Sequence, residues 1–141
     1  LSLTAGITYN DAKYGDNVSD PSLAGKRLTN APEWVGTAAI DYERSLTGTL
    51  LGFLRLDYRY TSERNTGSDL APEKLQKATN VVNGTIGIGA DDGFWEIELW
   101  ARNLFDEDFR QVVFDAPLQQ GSFNAFLNDP RTIGVRARLN F

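Results

Sequence analysis

Arg131-Thr132-Ile133-Gly134-Val135-Arg136-Ala137-Arg138-Leu139-Asn140-Phe141 closes the chain in strict alternation and stops on an aromatic ring. Side chains of a strand alternate with period two. Ile133, Val135, Ala137, Leu139 and Phe141 therefore share one face, and Thr132, Gly134, Arg136, Arg138 and Asn140 share the other. An apolar face backed by paired arginines suits a sheet standing between hydrocarbon and water. One such segment proves little, since many soluble strands alternate, so the weight rests on recurrence.

The pattern recurs five times upstream. Leu1, Leu3, Ala5, Ile7 and Tyr9 oppose Ser2, Thr4, Gly6, Thr8 and Asn10; Trp34, Ala38, Ile40 and Tyr42 oppose Thr37, Asp41 and Glu43. Leu54, Leu56, Tyr58 and Tyr60 oppose Arg55, Asp57 and Arg59. Val82, Ile86 and Ile88 oppose Asn83, Thr85, Gly87 and Gly89, and Trp95, Ile97, Leu99 and Ala101 oppose Glu96, Glu98 and Arg102. Each run has about ten residues, the length a tilted strand needs to cross a bilayer. Every charge within the runs falls on a polar face: Asp41, Glu43, Arg55, Asp57, Arg59, Glu96, Glu98, Arg102, Arg136 and Arg138.

Connections alternate as well. Residues 11–33, 62–78 and 104–130 are long and polar, while 44–49 and 90–93 are tight turns. Outer-membrane barrels pair short periplasmic turns with long outer loops. With that orientation, Tyr9, Trp34, Tyr58 and Tyr60 gather at the outer interface and Tyr42, Trp95 and Phe141 at the inner one, as two aromatic girdles. Fold class is accordingly all-β: six antiparallel membrane-crossing strands of a barrel wall. The smallest such barrels have about eight strands, so six imply an incomplete barrel.

Composition excludes other classes. The 141 residues are 41% hydrophobic with mean hydropathy −0.35, and no run nears the ~20 apolar residues of a membrane helix. Barrel strands are nearly invisible to hydropathy, because only alternate residues face lipid. The first residues lack the basic, apolar, small-residue progression of a secretion signal. The chain has no Cys, His or Met, which removes thiolate and imidazole metal ligands, disulfides and histidine-based catalysis. A net charge of −5 with no basic, aromatic-laced patch argues against nucleic acid. No catalytic residue, metal ligand or cofactor is expected, and the chain is not read as an enzyme.

The motifs then resemble a known family. Asn103-Leu104-Phe105-Asp106, followed by Pro130-Arg131-Thr132-Ile133-Gly134 and the terminal Phe141, is similar to the C-terminal end of TonB-dependent outer-membrane receptors. Gly25-Lys26-Arg27-Leu28 with Ala31-Pro32, and Asn80-Val81-Val82-Asn83, resemble two further stretches of that family in the same order. The resemblance implies the last six strands and three outer loops of a barrel of about 22 strands, with the plug domain lying outside residues 1–141. It implies location in the bacterial outer membrane and uptake of a scarce nutrient chelate, first a ferric siderophore, with cobalamin, haem or oligosaccharide as other cargoes. Partners so implied are outer-membrane lipid, the remaining barrel and plug, TonB acting through the plug, and the barrel assembly machinery. By resemblance, Phe141 with Leu139 behind it is the assembly signal. Phe141 is then a true protein end and Leu1 an internal position of a longer chain. A passive or structural barrel and a soluble β-sandwich binding module are the alternatives.

Several residues invite sharper readings. In a level hairpin of the last two strands, Glu96 faces Arg138 and Glu98 faces Arg136, so cross-strand pairing is preferred to a charged substrate path. The same pairing removes Glu96 and Glu98 as a catalytic carboxylate pair, and Asp91 and Asp92 belong to a tight turn. Gly84, Gly87 and Gly89 lie inside a strand, not between strand and helix, so they suggest close approach of a plug or neighbouring wall rather than nucleotide binding. Asp11, Asp16 and Asp20 lack the alternate spacing and closing Glu of a calcium loop. Residues 68–78 suggest a short helical turn with Leu70 and Leu75 as its apolar contacts. The 104–130 loop carries the ligand-site candidates Phe109, Arg110, Gln111, Phe123, Asn124 and Phe126, whose aromatics either bind ligand or pack the loop on the barrel rim.

Overall fold

Each alternating run forms a strand in the computed structural model, which describes residues 1–141. The elements are β1 (Ser2–Tyr9), β2 (Trp34–Ser45), β3 (Leu50–Thr61), β4 (Arg64–Asn65), β5 (Leu75–Gln76), β6 (Thr79–Ala90), β7 (Trp95–Arg102), β8 (Arg110–Asp115), β9 (Phe123–Leu127) and β10 (Thr132–Leu139). Six of them form one antiparallel sheet in the order β1-β2-β3-β6-β7-β10, so neighbours in the sheet follow the chain. This meander does not close: β1 and β10 are its two edges.

Only 11 of the 141 residues are buried, and among these only Phe53 and Val113 are apolar. A soluble β-sandwich requires a second layer over the apolar face. Here Leu3, Ile7, Ile40, Ile86, Ile88, Ile97, Leu99, Val135 and Leu139 stand exposed on one side of a single layer. Stability within the chain comes from the ladders, which hold 52 of its 77 backbone hydrogen bonds. The sandwich reading is therefore set aside.

Register confirms the assignment of faces. Arg136 pairs with Glu98 and Arg138 with Glu96 across β7 and β10, as the level hairpin predicts. The side chains meet at 2.6 Å and 3.6 Å. Arg55 on β3 lies 3.8 Å from Asp41 and 3.6 Å from Glu43 on β2. One charge departs from the expected sorting. β2 runs on to Ser45, so Arg44 shares the apolar face with Tyr42. It sits beside the 46–49 turn, at the end of the strand, where a long side chain can reach headgroups.

The strand glycines admit the neighbouring wall, one of the two close approaches their small size suggests. A Cβ on Gly87 would run into the ring of Phe53 directly across the ladder, and one on Gly134 into the ring of Trp100. A Cβ on Gly84 would come within 2.9 Å of Leu56, and on Gly89 within 2.8 Å of the Trp95 carbonyl oxygen. Large side chains of the wall lie over the small ones, a device that covers weakly packing glycine positions in sheets.

The two ends of the sheet are marked by aromatic contacts. Tyr9 and Trp34, paired at the outer end of β1–β2, have ring centroids 4.7 Å apart. At the inner end, Phe94 meets Phe141 edge-on at 6.1 Å, and Asn140 donates to the carbonyl oxygens of Phe94 and Gly93. Phe94 thus joins the aromatics at this end of the sheet, although it falls outside the alternating runs.

The connections are more ordered than polar loops. Within 62–78, β4 pairs with β5 and a 3-10 turn spans Pro72–Lys74, so the helical turn is shorter than expected and gives way to strand. Leu75, expected as an apolar contact, lies in β5 and is 42% exposed. Within 104–130, β8 pairs with β9 as a hairpin with a bulge between Arg110 and Val112. Its strands do not alternate cleanly in sequence, which is why they escape a period-two reading.

Candidate functional site

The three outer loops interlock before they can form any site. Asn30 N donates to Asn65 O, and Thr29 Oγ1 to Gly67 O, joining the first loop to the second. Val113 N donates to Thr66 O, Arg110 N to Gln76 Oε1, and the Arg110 guanidinium to the carbonyl oxygens of Glu73 and Leu75. The second and third loops are therefore one packed body.

Lys74 is the clamp of that body. Its side chain is 3% exposed, and its ammonium lies 2.7 Å from Asp69 and 2.9 Å from Asp115 in β8. The ring of Phe123 sits 5.6 Å away as a cation–π partner. The Asp69 carboxyl is held below its ordinary range, first by the hydrogen bond from Lys74, and Lys74 is raised first by the same bond.

The motif residues at the loop bases have structural tasks. Asn103, buried and in a left-handed conformation (φ 49°), donates to Glu107 O and Asp129 O and accepts from Glu107 N. Asp106 Oδ1 accepts from Arg131 N. The two halves of the pattern thus tie off the neck of the third loop. Arg27 lies 3.1 Å from Glu33 and donates to Asn10 O, tying the neck of the first.

At the outer mouth, on the charged side of the sheet, lie two adjoining cavities of about 420 and 530 Å3. Val81, Phe109 and Gln111 line both. Arg102, Asn83, Trp100 and Asp129 also line one; Arg59, Arg64 and Thr79 also line the other. Arg64 stacks on Phe109 with its guanidinium carbon 5.8 Å from the ring centroid. Arg64 Nη1 is buried without a hydrogen-bond partner. Desolvation first, then the nearby charge of Arg59, lower its pKa. Arg102 lies 5.9 Å over the Trp100 ring. None of these three arginines has a carboxylate within ion-pair distance, unlike Arg55, Arg136 and Arg138 deeper in the wall.

The loop candidates separate on this geometry. Phe109 and Gln111 line the cavities. Arg110 is spent on the second loop. Phe123 packs on Lys74, and Phe126 against Phe114 at 5.8 Å; Asn124 is exposed on β9. Arg59, Arg64 and Arg102 are additions that loop composition alone does not point to. No group of three or more acidic side chains converges as a metal site. Asp11 instead pairs with Lys13 at 2.9 Å, and Asp20 accepts from Ser22 N at the start of the Pro21–Leu23 turn.

The model of the TonB-dependent receptor-like β-barrel matches residues 1–104. The chain belongs to that family. Its strands also superpose on the crystal structure of the ferric yersiniabactin uptake receptor FyuA from Yersinia pestis, with TM-score 0.69 at 20% identity. That match covers 84% of this chain and 18% of the receptor, so the chain spans under a fifth of the solved protein's length. No curated protein matches the sequence. At this identity the likeness speaks for the fold: this TonB-dependent receptor barrel segment has the wall architecture that its alternation describes.

Proposed function

We propose that residues 1–141 are the last six strands of a TonB-dependent transporter barrel in the bacterial outer membrane, taking up a ferric siderophore or similar scarce chelate. The observation that carries this reading is the single-layer sheet. Its apolar face holds no charge except Arg44 at the end of β2, and its other face carries the ion-paired charges. The plug and the TonB contact belong to the parent protein outside residues 1–141, and this segment contributes wall and outer loops rather than chemistry. The exposed terminal Phe141 and Leu139 serve as the strand signal for the barrel assembly machinery. The solved protein that shares the fold is a ferric yersiniabactin uptake receptor, which supports iron before cobalamin, haem or oligosaccharide.

The test is complementation. The full-length receptor, expressed in a bacterium lacking its own siderophore receptors, should restore uptake of radiolabelled iron from at least one ferric siderophore, and only while TonB is present. Uptake that persists without TonB would indicate a passive barrel. Restored cobalamin or haem uptake with no iron uptake would overturn the siderophore assignment.

A further inference from the structure

Charge pairing on the lumenal face follows depth. In the inner half, the positions facing each arginine across the ladder supply its counter-charge: Glu98 to Arg136, Glu96 to Arg138, Asp41 to Arg55. At the outer mouth the equivalent positions are uncharged. Arg59 faces Thr37 on one side and Val81 on the other, and Arg102 faces Thr132. Asp57, one rung below, is occupied by the Asn83 amide at 2.7 Å. Asp129 lines the Arg102 cavity without reaching ion-pair distance, and its carbonyl serves Asn103 and Asn128.

Leaving three guanidinium groups around two adjoining cavities is costly unless something anionic enters them. Like charges repel, and a buried donor with no acceptor forfeits the solvation it had in water. Arg64 shows both penalties, in its unpartnered Nη1 and in a pKa lowered by desolvation and by Arg59. The planar guanidinium fork matches carboxylate-type oxygens. Phe109, stacked under Arg64 and shared by both cavities, offers an apolar floor between the charges.

We infer that Arg59, Arg64 and Arg102 form an anion subsite at the outer mouth, which selects a chelate carrying free carboxylate or comparable anionic oxygens over a neutral one. The inference rests on the uptake reading above and narrows its cargo.

The experiment uses the full-length receptor in detergent micelles, with Arg59→Gln, Arg64→Gln and Arg102→Gln made singly. Binding of an anionic ferric carboxylate chelate is compared with that of a neutral ferric hydroxamate, and free citrate is the iron-free probe. Each substitution should weaken the carboxylate chelate and citrate about tenfold or more, leave any hydroxamate binding within twofold, and flatten the salt dependence of the anionic ligands. Equal affinities in wild type and variants, with chelate still bound, would overturn the subsite while sparing the uptake reading. Citrate binding lost in the variants, with no ferric chelate bound even by wild type, would sustain the subsite and overturn the iron reading. Variants that melt earlier yet bind unchanged would assign the arginines to an internal partner and overturn the subsite.

Discussion

At the residue scale, one carboxylate shows how the lumenal face holds together. The Glu98 side chain is 5% exposed, between Gly87 on β6 and Arg136 on β10, and its charge is met at 2.6 Å by Arg136. Removing the arginine strands a nearly buried carboxylate, which costs more than the net value of the pair. Because the Arg136 side chain is 56% exposed, water offsets part of that loss. Arg136→Ala in the full-length receptor is expected to lower stability by about 1–2 kcal/mol. The double variant Glu98→Gln with Arg136→Gln should recover most of it, measured by urea unfolding in micelles. An equal loss in both would show that the pair is not what holds this rung. This pairing was legible in the sequence because setting Gly93 level with Phe141 already places Glu98 opposite Arg136, even though the long 104–130 loop joins the two strands. The cover of Gly87 by Phe53 and of Gly134 by Trp100 was not legible, since it needs the register and the ring orientations together.

At the element scale, the second and third outer loops behave as one unit held by Lys74. The sign of its pH dependence follows from the shifts on both partners. Asp69, held below its ordinary 3.8, contributes stability that is present above that value and lost as pH falls through the lower folded one. Lys74, raised above its ordinary 10.5, contributes stability that is present below that value and lost as pH rises through the higher folded one. The loop pair should therefore resist limited proteolysis on intact cells from about pH 5 to 9 and loosen toward pH 3. Lys74→Met should speed cleavage several-fold in both loops at neutral pH, with the barrel intact. Cleavage confined to residues 62–78 would disprove the coupling. Little of this unit could be read from the chain, because Asp115 reaches Lys74 and its near neighbour Asp69 across more than forty positions and no periodicity announces the meeting. For the mouth arginines the information was half present. The lumenal facing of Arg59 and Arg102 follows from alternation, whereas their lack of counter-charge emerges only when Thr37, Val81 and Thr132 are set opposite them.

At the scale of the whole molecule, period-two patterning decides which side meets lipid, because a slip of one residue would exchange the faces of a strand entirely. Leu56 lies on the apolar face opposite Ile40 and Gly84, and Ile97 on the same face between Ile88 and Ala137. Thr85 lies on the lumenal face between Arg55 and Trp100, at a similar height. An arginine on the lipid face near the midplane costs about 2–4 kcal/mol, while a lumenal one can hydrate. Leu56→Arg or Ile97→Arg in the full-length receptor should sharply reduce the folded, heat-modifiable species in outer-membrane fractions. Thr85→Arg should assemble closer to wild type, since its side chain faces the polar side of the sheet, where the charge can hydrate. Normal assembly of the first two with failure of the third would invert the faces. It would also place Arg59, Arg64 and Arg102 against lipid, where no anionic cargo could reach them, so this comparison bears on the mouth as well as on the wall.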